Sequence, residues 1–373
     1  MESAKNTAMM DLYMLNRISL SCGKNKKFVT AFNFILLRDY CLVFDEILRA
    51  FKPPIKVDNN ITKIRQNIKL FGQRGSLKNG DIYLKIREIH TSSFASYENN
   101  IGLFMEDNRI LGSTIYNTFI FLDSDFENPY LTMHDTEFKK KLESFLLDTI
   151  PRTRMNLEPL IIDNNNIDFY KDIPVKEVGN SDSIKCFDVR SEKFFDDQKN
   201  LPFQTLQFRL LICLQELNYI IYIFETFIEN NEKQFIDNYT FMRILTRGLD
   251  SILKNINNLW EYSNAEFMQW LDPLDEKLRS TINVLASNKK MIDWASKYRN
   301  MIHYDTLNQK NNSNFIDVMS NDSEFESKCY EVYHEIVLPL QKGISQFFIV
   351  TKSQQYSLLK MLVMKIGEKF NDK

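Results

Sequence analysis

Glycine and proline are scarce, 10 and 9 among 373 residues, and so few chain-breaking positions argue against a many-turned sandwich or barrel of strands. Cysteine is equally sparse: Cys22, Cys41, Cys186, Cys213 and Cys329. No two of them form a Cys-x-x-Cys pair, and their spacing suits no zinc template. An odd, scattered set is expected of reduced thiols in a cytoplasmic protein. Net charge is nearly absent as well, with 47 Lys and Arg against 49 Asp and Glu. Such a chain has no overall field with which to hold a polyanion, which argues against a constitutive duplex-DNA binder but leaves room for a local basic site. Met1 to Asn6 includes Glu2 and no basic start followed by an apolar run, so no signal peptide is expected. The most apolar stretch, Leu210 to Ile228, is interrupted by Gln215, Glu216, Asn218 and Glu225. It reads as a buried helix, and no contact with a membrane is expected.

Large apolar residues are plentiful: 29 Phe and 16 Tyr, with 44% of the chain hydrophobic. Together with the scarcity of breakers this predicts a mainly α protein, long enough for two domains. Helices are expected over Thr7–Leu20, Phe28–Phe51 (stopped by Lys52-Pro53-Pro54) and Asn60–Phe71. Asp81–Ser93 fits a strand or a helix, Ser113–Leu122 reads as a strand, and Thr136–Asp148 as an amphipathic helix. The pattern is poor from Pro151 to Asn200 and sharpens after Leu201, which places a boundary between domains 1–195 and 196–373. The first is a mainly helical domain with a few possible strands; the residues do not define its role, for which sensing or regulation is the candidate. The second is a bundle: helices over Phe203–Ile228 and Lys233–Tyr262, one begun by Asp272 and Pro273, one from Lys289 to Tyr304, then Ser323–Val350 and Ser353–Phe370 after a polar loop at Gln309–Asn314.

Most polar constellations have ordinary explanations. Arg87 and His90, three apart, could be a decayed copy of the Arg299/His303 pair, but a surface Arg near an ordinary His accounts for them. Asp123 and Asp125, with Gly112-Ser113 upstream, hold two carboxylates for Mg²⁺, but a solvated turn accounts for them without a third. His134 suits a loop, and His334 a core or surface position. There is no Gly-rich phosphate loop and no His-Glu-x-x-His pair.

One stretch stands apart: Lys297-Tyr298-Arg299-Asn300-Met301-Ile302-His303-Tyr304-Asp305. Asn288 is placed to cap its helix. Met291, Ala295, Tyr298 and Ile302 form an apolar stripe, and Arg299 and His303, four apart, would lie about 40° from each other beside it. Histidine accepts or donates a proton near neutral pH, and arginine offers a charged fork matched to phosphate oxygens. Asn300 adds a donor and an acceptor. These groups suffice for RNA cleavage without a metal: a base takes the 2′-hydroxyl proton, and a cation stabilises charge building on the phosphate. One imidazole serves one proton transfer at a time, so a homodimer that brings two such helices together is expected to supply the second.

The run Arg299-Asn300-Met301-Ile302-His303-Tyr304 resembles the motif of the HEPN superfamily, helical domains of prokaryotic toxin and phage-defence ribonucleases. Three residues separate Arg299 from His303, a closer spacing than the family's usual one. The resemblance covers residues 196–373. It implies a HEPN-like bundle and a metal-independent endoribonuclease of toxin–antitoxin or antiphage type, with RNA as substrate, no cofactor, and an antitoxin or sensor as a further partner. Arg299 would stabilise the phosphate, His303 act as acid and base, Asn300 orient one of them, and Tyr304 stack on a base. The competing expectations are a non-catalytic module that grips a nucleotide or a protein through Arg299 and His303, and a structural helical protein carrying a chance motif.

Overall fold

The computed structural model describes residues 2–21, 26–70, 81–93, 100–126, 136–161, 184–195, 200–229, 234–304 and 314–350. The helix expected at 353–370, most of the loop at 309–314, and His134 lie outside them. The fold is mainly α, as composition predicts.

The N-terminal half contributes α1 (Glu2–Ser21), α2 (Lys26–Phe51), α3 (Asn59–Leu70) and α4 (Asp81–Ser93). Helix α2 stops where expected: Lys52 takes a left-handed conformation (φ 45°), and the two prolines cannot extend the helix. Three strands follow, β1 (Asn100–Glu106), β2 (Arg109–Ser113) and β3 (Ile184–Arg190), in the antiparallel order β2-β1-β3. The segment read as a strand at 113–122 is instead helix α5 (Thr114–Ile120). Ser113 caps it by accepting from the Tyr116 amide at 3.2 Å, and the buried Asn67 carboxamide donates to the carbonyls of Ile120 and Leu122 at 3.0 and 2.6 Å. The local cap at one end and the tertiary bonds from Asn67 at the other outweigh the β-branched preference of Thr114, Ile115 and Thr118. Next, α6 (Thr136–Ser144) runs through a π-helical turn into α7 (Ile150–Ile161).

The second half is built round α8 (Leu201–Phe224). Asn200 caps it, accepting from the Phe203 amide at 2.9 Å, and Pro202 occupies its first turn. The helix is long and apolar enough to cross a membrane, but 89% of its apolar window is buried inside the fold, as the polar interruptions predict. Strand β2 lies along it, joined by Asn218 to the Ile110 carbonyl (2.9 Å) and Gln215 to Ser113 (3.0 Å). Then come α9 (Phe235–Tyr262), α10 (Asn264–Leu271), α11 (Glu276–Ala286), α12 (Lys289–Asn300), α13 (Phe315–Asn321), α14 (Ser323–Val332) and α15 (Leu338–Ser345). Helix α11 is capped by Asp275 rather than starting at Pro273, because Leu274 is turned into the core before the helix begins.

The boundary at 195/196 is not a break in packing. One hydrophobic core contains residues of both halves, and four buried ion pairs join α1 and α2 to α8 and α9: Arg17–Asp237 (2.7 Å), Asp11–Arg243 (2.6 Å), Arg38–Glu216 (2.6 Å) and Asp39–Arg247 (2.5 Å). Residues 1–195 and 196–373 thus share a core. Charges buried this way must be paired, and the pairs fix how the helices dock.

His90 illustrates a buried polar group without a part in the site. Its Nε2 lies 2.7 Å from the Thr114 hydroxyl, and burial pushes its pKa down to about 3. The unfolded imidazole titrates near about 6.5, so neutral His90 contributes its full stability above that pH and loses it as the pH falls toward 3. Urea unfolding of wild-type and His90→Asn chains between pH 6.5 and 4 is expected to show an extra wild-type loss approaching about 1.4 kcal/mol per pH unit. Parallel slopes would show that His90 is not buried in its neutral form.

Candidate functional site

Helix α12 begins as its sequence predicts, with the Asn288 side chain accepting from the Met291 amide at 3.1 Å. Ala295, Tyr298 and Ile302 are buried and Met291 is partly buried against the core, so the stripe faces inward. The end differs from expectation. The helix closes at Asn300, short of the expected end at Tyr304, and the amides of Met301, Ile302 and His303 donate to the carbonyls of Tyr298, Arg299 and Asn300 at 3.1–3.2 Å. These bonds reach back three residues instead of four, a tightened last turn. Met301, Ile302 and Tyr304 all enter the core; on a continuing α-helix they would span an arc of about 160°. The angle of about 40° between Arg299 and His303, which assumes regular α geometry, therefore does not apply.

His303 is placed by the N-terminal half. Its Nδ1 lies 2.6 Å from Glu46 Oε2, and its side chain is 34% exposed whereas that of Glu46 is 4% exposed. Glu46 Oε1 accepts from Arg65 Nε at 2.9 Å and also from Arg65 Nη2. Arg65 lies 3.4 Å from Asp45 as well. Burial alone would raise the Glu46 pKa, but the hydrogen bond and charge of His303, together with Arg65, more than offset it and hold the carboxyl below the usual glutamate range.

Arg299 is partly buried beside this group. Its Nε is 3.8 Å from Asp250, which also accepts from Ser296 and pairs with Lys254, both at 2.6 Å. Burial lowers the Arg299 pKa from its ordinary value. Arg65 and Arg38 act in the same direction, and Asp250 and Glu46 oppose them; the group stays charged at any physiological pH. Its Nη1 makes a long contact of 3.4 Å with the exposed Asn300 carboxamide. The result is a rim of partly exposed groups, Arg299, Asn300 and His303, over a buried layer formed by Glu46, Arg65 and Asp250. The layer can hold the imidazole in one orientation while the rim meets a ligand.

Tyr304 does not join the rim. It is 2% exposed, its hydroxyl donates to Asp11 at 2.6 Å, and its ring stacks on Phe51 at 6.0 Å. A ring so enclosed offers no face to a base, so the expected stacking role is corrected to a structural one. The other constellations also resolve locally. Ser113 is taken up by capping α5 and by Gln215. A Cβ at Gly112 would meet the side chains of Phe104 and Ile35 at 3.1 and 3.3 Å, so its open side faces packing and not a phosphate. Asp125 pairs with Asn60, and Asp123 lies 3.7 Å from Lys85. No group of three or more His, Cys, Asp or Glu placed to hold a metal occurs among the described residues. His334 is exposed and packs edge-on against Tyr333.

Sequence reading missed Glu46, Arg65 and Asp250. A signal for Glu46 exists: Asp45 and Glu46 interrupt the buried run Leu42-Val43-Phe44 and Ile47, and two acids in such a run need buried cations. Which cations they meet is not visible locally. No family model matches the chain, and neither a curated protein nor a solved structure shows significant similarity to it.

Proposed function

We propose that the chain is a metal-independent endoribonuclease of the HEPN-like kind, acting in toxin–antitoxin or antiphage defence. The single observation that carries the reading is a partly exposed imidazole, His303, braced by a buried carboxylate beside a partly exposed guanidinium, Arg299. His303 takes the 2′-hydroxyl proton, the oxygen attacks the adjacent phosphate, and Arg299 stabilises the charge that builds there. Asn300 orients the phosphate or the ribose. The leaving 5′-oxygen needs an acid, which a second copy of the chain supplies through its own His303 in a two-fold dimer.

The test is cleavage of end-labelled RNA by the purified chain with and without EDTA. Cleavage that survives EDTA and leaves 2′,3′-cyclic phosphate ends is expected. Products with 3′-hydroxyl ends, or activity lost with EDTA, overturn the reading. Adding excess His303→Ala chains to wild-type chains tests the dimer: shared sites lose the wild-type activity as mixed dimers form, whereas self-contained sites keep it.

One observation favours the second reading, a non-catalytic nucleotide- or protein-binding module. The cations here face carboxylates: Arg65 faces Glu46 and Asp45, and Arg299 and Lys254 face Asp250. A site so neutralised attracts RNA less strongly than a bare basic patch. Binding of RNA or nucleotide without product is the outcome that would select it.

A further inference from the structure

We propose that Glu46 is the positioning residue of this site: it fixes His303 in the tautomer with its proton on Nδ1, which makes Nε2 the nitrogen that takes and returns protons. The proposal rests on the acid–base reading of His303 given above, and its spectroscopic test stands apart from that reading.

The argument is one of donors and acceptors. An arginine has donors only, and an ionised carboxylate has acceptors only. Arg65 directs Nε (2.9 Å) and Nη2 at Oε1 of Glu46, so Oε1 is committed as an acceptor. Oε2 lies 2.6 Å from Nδ1 of His303, and a carboxylate oxygen in that place requires a proton on the nitrogen. In a neutral imidazole with Nδ1–H, the lone pair belongs to Nε2. The chain of contacts runs from α3 through α2 to the turn after α12, so two elements of the N-terminal half determine which nitrogen of a C-terminal histidine is basic. Glu46 and Arg65 are each 4% exposed, and solvent does not compete for these bonds as it would at a surface.

Glu46→Gln reverses the outcome for a reason specific to this geometry. Arg65 still donates and so claims the carboxamide oxygen, which leaves the NH2 facing Nδ1. An NH2 is a donor, Nδ1 must then accept, and the proton moves to Nε2. Nitrogen-15 spectra of the neutral imidazole are expected to show Nδ1–H in the wild type and Nε2–H in Glu46→Gln. In hydrolases whose carboxylate orients a histidine, the equivalent amide substitution costs about 10⁴ in kcat. A loss of about 10²–10⁴ in kcat for RNA cleavage, with KM nearly unchanged, is expected here.

The double variant Glu46→Gln/Arg65→Gln supplies the control for packing. A carboxamide at position 65 accepts as well as donates, so the carboxamide at position 46 can turn its oxygen toward Nδ1. Both the Nδ1–H form and at least tenfold of the lost rate should then return. A residue that acts only through packing would move neither. The wild-type spectrum needs no variant and decides the matter even if Glu46→Gln does not fold: a proton on Nε2 there overturns the proposal. So does a folded Glu46→Gln chain that keeps Nδ1–H or cleaves at the wild-type rate. If the wild type shows Nδ1–H and the variant Nε2–H but neither cleaves RNA, the nuclease reading fails while the control of the tautomer by Glu46 stands.

Discussion

Replacing His303 by Ala is expected to reduce RNA cleavage by about 10²–10⁴-fold, the usual contribution of a general acid–base group, while the chain stays folded. The physical reason for the separation of activity from stability is the position of the residue. His303 follows the end of α12, is one-third exposed, and contributes one hydrogen bond to Glu46, whose other oxygen remains bound to Arg65. Loss of that bond to a charged carboxylate costs about 1.5–3 kcal/mol, a part of the roughly 5–15 kcal/mol typical of folded proteins that leaves the chain folded. If two copies share the chemistry, the variant removes base and acid together, and the larger end of the range applies. Initial cleavage rates on one RNA, with circular dichroism and thermal unfolding of the same samples, decide the point. A folded His303→Ala chain with full activity would remove this residue from the chemistry, and with it the reading of the Arg299–His303 pair as a nuclease site.

Asp11→Ala is expected to have the largest effect on stability. Asp11 is the common acceptor of a buried cluster: Arg243 donates Nε at 2.8 Å and Nη2 at 2.6 Å, Tyr239 donates at 2.7 Å, and Tyr304 at 2.6 Å. Burial pushes the hydroxyls of Tyr239 and Tyr304 well above the ordinary tyrosine range, and the Asp11 charge acts in the same direction. These groups are therefore donors at every accessible pH. Without the carboxylate, a guanidinium at 2% exposure loses its anion and the Tyr304 hydroxyl loses its acceptor, while the Tyr239 hydroxyl keeps the Thr7 carbonyl at 3.3 Å. Breaking a buried pair from one side costs about 3–5 kcal/mol, and the orphaned Tyr304 hydroxyl adds to it. Unfolding in urea should move to a much lower midpoint, or the chain should fail to accumulate in folded form. An unchanged midpoint would show that this cluster does not hold α1 against α9. Because Tyr304 adjoins His303 in sequence, a partly folded Asp11→Ala chain is also expected to lose cleavage.

Local patterns in the chain were informative wherever one helix buries one face. The stop of α2 at Lys52-Pro53-Pro54, the Asn288 cap, and the inward stripe of Ala295, Tyr298 and Ile302 depend on residues within a turn or two of each other, and all are found. The polar interruptions in α8 likewise marked a core helix. Partners distant in sequence were not legible. Thr114 to Ile120 has a strand's composition, yet it is helical because Asn67 reaches its last carbonyls. Likewise α12 ends at Asn300 with no Gly or Pro to stop it, because Met301, Ile302 and Tyr304 find places in a core assembled from both halves.

The amino-acid sequence by itself determined the mainly helical character of the protein, because helix formation and capping are local and the apolar period repeats every turn. It also placed Arg299, Asn300 and His303 within five consecutive positions, so their joint presence at one rim follows from chain connectivity. Only the tertiary structure decided what surrounds them. Glu46 stands 257 positions from His303, and Asp11 stands 293 from Tyr304. A buried charge requires a partner of opposite sign but does not specify which one. That choice is made when α1, α2 and α3 pack against α8, α9 and α12, and it gives His303 a buried carboxylate while taking Tyr304 out of the site.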